Sequence, residues 1–171
     1  MQQMIRLVNV DSKYIKYLYY FDNKVMYNKG QKRPYIGILF EVKGNKYYAP
    51  LTHPKPKFLH MKNTEDFMRI KGGTLGAINF NNMIPVVDSA VNVINVSSIN
   101  DEKYKLLLIN QLQFFDNNDT DIINRATKLY RAYKSKKLRK SVAQRCCNFM
   151  LLENKAKLYD PNYIPKTKQP K

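Results

Sequence analysis

The stretch Lys46 to Phe58, KYYAPLTHPKPKF, limits what this chain can fold into more than any other. It opens as a short strand, Lys46-Tyr47-Tyr48-Ala49. It then meets Pro50, Pro54 and Pro56, three prolines in seven residues. Proline fixes φ and removes a backbone donor, so the ladder is expected to stop at Pro50 and leave a stiff, exposed exit. That exit carries a hydroxyl, an imidazole and two ammonium groups, on Thr52, His53, Lys55 and Lys57. Rigid loops leaving a sheet with such groups are common sites for reactive or ligand-holding surfaces.

The ligand is suggested by charge. The chain of 171 residues carries a formal net charge of +17, which calls for a polyanionic partner. Nucleic acid is the first expectation and an anionic membrane surface the second. No apolar run is long enough for a transmembrane helix, and the N-terminus lacks the apolar stretch of a signal peptide. The adjacent pair Cys146-Cys147 suits neither a framework disulfide nor a zinc site. With only two histidines and few clustered acids, no metal or cofactor is expected, and a reducing cytoplasm is. The chain has thirteen tyrosines, and several stand beside lysines, as in Lys13-Tyr14, Lys46-Tyr47-Tyr48 and Lys103-Tyr104. Such pairs either hold phosphates while stacking unpaired bases or serve as amphipathic filler.

In chain order, residues 4–10 read as a β-branched strand, and Asp11 or Ser12 caps a helix over 13–21. Residues 22–34 are a basic loop with Lys24, Lys29, Lys32 and Arg33. A strand over 35–42 turns at Lys43-Gly44-Asn45-Lys46 into the opening stretch. Further strands are expected over 75–80, 83–87 and 91–96. A helix begins at Asn100-Asp101 and buries Leu106, Leu107, Ile109, Leu112, Phe114 and Phe115. Asn117-Asn118-Asp119 ends it, and a second helix follows with Ile122, Ile123, Ala126, Leu129, Tyr130 and Tyr133 inward. Eight basic residues and no acidic one lie between Lys128 and Arg145. They are either a solvated face or, as an extension of the amphipathic helix, a fixed basic ridge for phosphates carrying Lys134, Lys136, Lys137, Arg139 and Lys140. A short helix over 149–158 closes one domain, 1–160, and 161–171 is a basic, flexible tail. The order of elements is α+β, an antiparallel sheet with helices beside it and a helical C-terminal half.

Five segments carry a resemblance: SKYIKYLYYFDNKV (12–25), YIGILFEVKGNKYYAPLTHPK (35–55), LGAINFNNMIPV (75–86), KYKLLLINQLQFF (103–115) and CNFMLLE (147–153). Together they resemble the ToxN/AbiQ family of type III toxin–antitoxin endoribonucleases, across most of the chain. The resemblance implies a compact, highly twisted β-barrel-like sheet related to the Kid and MazF toxins, with added helices. It implies a cytoplasmic toxin, often active in abortive-infection phage defence, that cuts RNA without metal and leaves a 2′,3′-cyclic phosphate. It also implies inhibition by a repeated RNA, folded as a pseudoknot in basic grooves, within a closed toxin–RNA oligomer. The family reads leucine-threonine-serine-proline-lysine where this chain has Leu51-Thr52-His53-Pro54-Lys55. Thr52, Pro54 and Lys55 match; His53 does not. The family's loop tyrosine aligns with Tyr27, and its following lysine with Lys32 or Arg33.

Metal-independent cleavage requires a proton acceptor for the 2′-OH, charge stabilisation at phosphorus and a proton donor to the 5′-oxygen. Lys55, between two prolines, suits the charge. Thr52 can donate to a non-bridging oxygen. Tyr27, Lys29, Lys32, Arg33 and Lys57 can hold neighbouring phosphates or bases. His53 either adds a proton handler or removes a hydroxyl contact and impairs cleavage, as a natural variant or an inactivating substitution. The competing reading is a non-catalytic RNA-binding protein. A gyrase-type poison on a related barrel fits the charge least.

Overall fold

A computed structural model of the chain describes residues 4–27 and 33–162. Eight antiparallel strands form the sheet: β1 (Arg6–Val10), β2 (Pro34–Gly37), β3 (Glu41–Val42), β4 (Asn45–Thr52), β5 (Phe67–Arg69), β6 (Ala77–Asn79), β7 (Ile84–Pro85) and β8 (Val91–Val93). The main path is β5-β6-β4-β2-β1-β8, with β3 and β7 also paired to β4. It is an open path: among the described residues β5 and β8 do not pair with each other. Among the described residues four α-helices accompany it: α1 (Ser12–Phe21), α2 (Glu102–Lys134), α3 (Lys140–Arg145) and α4 (Phe149–Lys157). Among the described residues no helix is long and apolar enough to cross a membrane.

Strand β4 is the hub, pairing with β2, β3, β6 and β7. It does not stop at Pro50, as the proline content suggests, but runs on to Thr52. Pro50 stands opposite Tyr35, and Leu51 and Thr52 stand opposite Ile78 and Ala77. The fixed φ of proline lies within the extended range, and only its own N–H is lost to the ladder. Thr52 is therefore the last residue of a central strand. The β3–β4 hairpin turns on Lys43 and Gly44, at φ 48° and 81°, the geometry of a two-residue turn matched to strand twist.

The other expected strands are real but shorter, broken by 3-10 turns at 71–73, 80–82, 88–90 and 96–98. The strand at 67–69 has no clear signal in the sequence. The side chains of Asp11, Asp101 and Asn148 cap α1, α2 and α4 by accepting from the N–H groups of Lys13, Tyr104 and Leu151.

Three expectations for the helices need correction. Asn118 only kinks α2, at φ −130° and ψ 18°. Its amide donates to the Phe114 carbonyl at 2.8 Å, and the helix continues. The buried stripe is Leu108, Gln111, Phe115, Ile122, Ala126, Leu129 and Tyr130, whereas Leu106 and Ile109 are exposed. The basic run does not extend α2 either. The helix ends at Lys134, Lys136 takes a left-handed φ of 57°, and α3 starts at Lys140.

The core joins the sheet to α2 and α4 through aromatic rings. Phe40 stacks on Tyr47 at 4.6 Å, Tyr47 meets Tyr130 at 5.2 Å, and Phe149 packs on Tyr133 at 4.7 Å. Tyr14, Tyr47 and Tyr48 are buried. Those tyrosines beside lysine are thus packing groups and not base-stacking platforms. Cys146 and Cys147 are free and buried, and burial pushes the Cys146 thiol up to about 12. Of the expected tail, Pro161 and Asn162 are described, and Pro161 accepts a hydrogen bond from Lys13 Nζ; 163–171 lie outside the described residues.

Candidate RNA cleavage site

The C-terminal end of β4 opens into a cleft of about 470 Å³. Thr52, Lys55, Lys57, Asp66, Asn79 and Arg145 line it, with Phe58, Met61 and Phe67 among its apolar walls. The strand delivers Thr52, and its register beside β6 brings Asn79 alongside. Asn79 Nδ2 donates to Thr52 Oγ1 at 2.5 Å. A hydroxyl has one hydrogen and two lone pairs, so this contact leaves the Thr52 hydrogen available to a ligand.

The loop that follows is held from below. Lys55 precedes a 3-10 turn, Pro56–Leu59, and its carbonyl accepts from Phe58 N at 2.9 Å. Arg69 Nη1 donates to the carbonyls of Phe58 and Leu59, each at 3.3 Å. Gly76, at φ +100°, lies directly under the strand end. A Cβ there would stand 2.2 Å from the Thr52 carbonyl oxygen. Gln111 of α2 supports this floor by donating to the Leu75 carbonyl at 2.9 Å. Lys55 and Lys57 themselves are exposed, so two ammonium groups stand at the cleft edge on a braced backbone.

The expected site residues divide in space. Thr52, Lys55 and Lys57 share the cleft. His53 does not line it. Successive side chains on an extended backbone point to opposite sides, and the imidazole stands exposed with its ring 6.5 Å from that of Tyr104 on α2. Arg33 reaches the same end of β4 by donating from Nη1 to the Leu51 carbonyl at 2.8 Å, and burial lowers its pKa. Tyr27 packs on Tyr19 with ring centroids 5.3 Å apart and does not line the cleft. Lys29 and Lys32 lie outside the described residues.

Lys134, Lys136, Lys137, Arg139 and Lys140 are exposed around the corner between α2 and α3. Lys137 also lines a second groove of about 590 Å³ with Arg125 and Lys128, which includes acidic Glu65 and Asp121. Arg139 pairs with Glu65 at 3.3 Å, an exposed contact of little energetic weight.

Three residues enter the site without a signal in the sequence: Asn79, Asp66 and Arg145. Asp66 is buried and accepts from Arg145 Nε at 2.8 Å and Nη2 at 3.1 Å, and from Thr64 Oγ1 at 3.0 Å. Burial raises its pKa, but the hydrogen bonds from Arg145 and Thr64 outweigh that and hold the carboxyl below its ordinary value.

The family described as "Toxin ToxN, type III toxin-antitoxin system" matches residues 6–157. The chain is 33% identical over 161 residues to an endoribonuclease ToxN of Pectobacterium atrosepticum, covering 88% of this chain and 91% of that protein. It is 29% identical over 158 residues to an endoribonuclease ToxN of Bacillus thuringiensis subsp. kurstaki, covering 88% and 81%. Among solved structures it is similar to AbiQ, a lactococcal anti-phage endoribonuclease of a type III toxin–antitoxin system. That match has a TM-score of 0.81 and 27% identity over 92% of this chain and 98% of that one. With the family match spanning nearly the whole folded chain, this protein belongs to the ToxN toxin family of type III toxin–antitoxin systems.

Proposed function

We propose that this protein is a metal-independent endoribonuclease toxin that cuts RNA at the Thr52–Lys55 cleft. The observation that carries the reading is the Asn79–Thr52 hydrogen bond beside two exposed lysines. It leaves the hydrogen of a cleft-lining hydroxyl free to donate to a non-bridging phosphate oxygen.

In the reaction the 2′-oxygen attacks the adjacent phosphorus, forming the O2′–P bond and breaking the P–O5′ bond. The product ends are a 2′,3′-cyclic phosphate and a 5′-hydroxyl. Charge builds on the phosphorane oxygens, and Lys55 stabilises it from a backbone limited by Pro54 and Pro56. Thr52 donates to one of those oxygens. Lys57 and Arg33 hold flanking phosphates. The proton leaving the 2′-OH and the one reaching O5′ are exchanged with water in the cleft, since His53 is turned away from it toward Tyr104.

The likeness to endoribonucleases named ToxN supports the activity. A related structure is described as toxin inhibition by a non-coding RNA pseudoknot, at 27% identity and a TM-score of 0.79. That likeness supports an RNA antitoxin as the inhibitor; the further reading is that the chain takes mRNA as substrate and joins its antitoxin in a closed toxin–RNA assembly in the cytoplasm. The test is incubation of the purified protein with RNA of defined sequence in excess EDTA. Cleavage is expected. Binding without cleavage would instead favour a non-catalytic RNA-binding role.

A further inference from the structure

The cleft beside Thr52 holds a charge pair that the cleavage chemistry does not use. Asp66, 3% exposed, stands just before β5. Arg145 ends α3, and its side chain is 49% exposed. The guanidinium meets the carboxylate side-on, through Nε and Nη2. Arginine carries five N–H donors. Side-on pairing uses one on Nε and one on Nη2, which leaves both hydrogens of Nη1 and the second of Nη2 directed away from Asp66. Thr64 also donates to Oδ1 of the carboxylate at 3.0 Å, so the direction of the remaining fork is set before any ligand arrives.

The two charges cancel locally. The pair therefore adds little to phosphate attraction, which Lys55 and Lys57 supply on the same cleft. A neutral, oriented donor fork is suited instead to reading the edge of a base. A cleft of about 470 Å³ falls within the usual size of small-molecule sites, and Phe67 and Met61 give it apolar wall. Purines present an N7 acceptor on the edge that arginine commonly reads; pyrimidines have no such atom.

We propose that Arg145, positioned by Asp66, is a specificity-determining residue that hydrogen-bonds N7 of a purine flanking the cleaved phosphate. This rests on the reading of the Thr52–Lys55 cleft as the RNA site.

The experiment replaces single purines around the cut by their 7-deaza analogues, which lack only that acceptor. Cleavage and binding are both measured, the latter on RNA with a 2′-deoxy sugar at the cut so that no nucleophile is present. One flanking position is expected to lose about 10-fold in wild-type protein, the scale of a directed base contact. Arg145→Lys, which keeps the charge and loses the fork, is expected to be insensitive to the same replacement. Asp66→Asn is expected to lose most of the discrimination while keeping Arg145. Thermal melting confirms that each variant is folded; should Arg145→Lys not fold, Arg145→Gln takes its place. Wild-type protein indifferent to every 7-deaza replacement overturns the proposal. So does an Arg145 variant that remains as sensitive as wild type, or one that weakens all RNAs equally. Purine-dependent binding without cleavage sinks the nuclease reading and leaves this one standing, whereas no binding at all removes both.

Discussion

The side-chain amide of Asn79 donates to the hydroxyl oxygen of Thr52, and this contact occupies one side of that oxygen and so limits where the Thr52 hydrogen can point. It spans 27 positions in sequence and exists because β6 lies against the end of β4. Asn79→Ala leaves the hydroxyl in place but free to rotate. Loss of one such hydrogen bond is worth about 1 kcal/mol, so the RNA cleavage rate is expected to fall roughly 5- to 10-fold, with RNA affinity nearly unchanged. An unchanged rate would remove Thr52 orientation from the mechanism.

His53 turns the other way, toward Tyr104. A serine in its place would lose the ring contact and nothing that the cleft depends on. His53→Ser is expected to cleave at least as fast as the parent. A His53→Ser variant slowed about 10-fold or more would make the histidine the proton carrier.

Much of the fold is legible locally. Asp11 and Asp101 announce helix starts, and Lys43-Gly44 announces a hairpin, because caps and tight turns depend on neighbouring residues. The loop Thr52-His53-Pro54-Lys55 is legible too, since its prolines and polar groups are consecutive. The rest of the site is not. Asn79, Asp66 and Arg145 are ordinary polar residues until strand register and α3 bring them to Thr52. The burial of Tyr14, Tyr47 and Tyr48 is likewise a tertiary outcome: a lysine beside a tyrosine looks the same whether the ring faces core or solvent. The exposed Leu106 and Ile109 show the same limit, because an apolar-rich helix offers more than one stripe and only the sheet chooses between them.

Gly76 is the tightest point under the site. With φ +100° and a Cβ that would meet the Thr52 carbonyl oxygen at 2.2 Å, alanine there must push the strand end away. Gly76→Ala is expected to cost about 2–3 kcal/mol, read as a lower denaturation midpoint in urea, and to reduce cleavage further by moving Thr52. Stability equal to the parent would show that the loop rests elsewhere.

The Asp66–Arg145 pair gives a pH signature. The folded-state pKa of Asp66 lies below its ordinary value, so its contribution is present above about pH 4 and is lost as pH falls through the folded value. Because Arg145 is half exposed, solvent screening keeps that contribution small. Urea unfolding at pH 7 and pH 3 is expected to show a smaller acid-induced loss in Asp66→Asn than in the parent. Equal losses would place the acid sensitivity on other carboxylates.

The most direct measurement compares the parent with Lys55→Ala on one defined RNA in EDTA, analysing the new ends chemically while following binding of the same RNA. The parent is expected to produce 2′,3′-cyclic phosphate ends. Lys55→Ala is expected to produce at least 100-fold fewer, on the scale seen when a charge-stabilising group is removed, while still binding. Equal yields of cyclic phosphate from the two proteins would contradict the account and move the chemistry away from this loop.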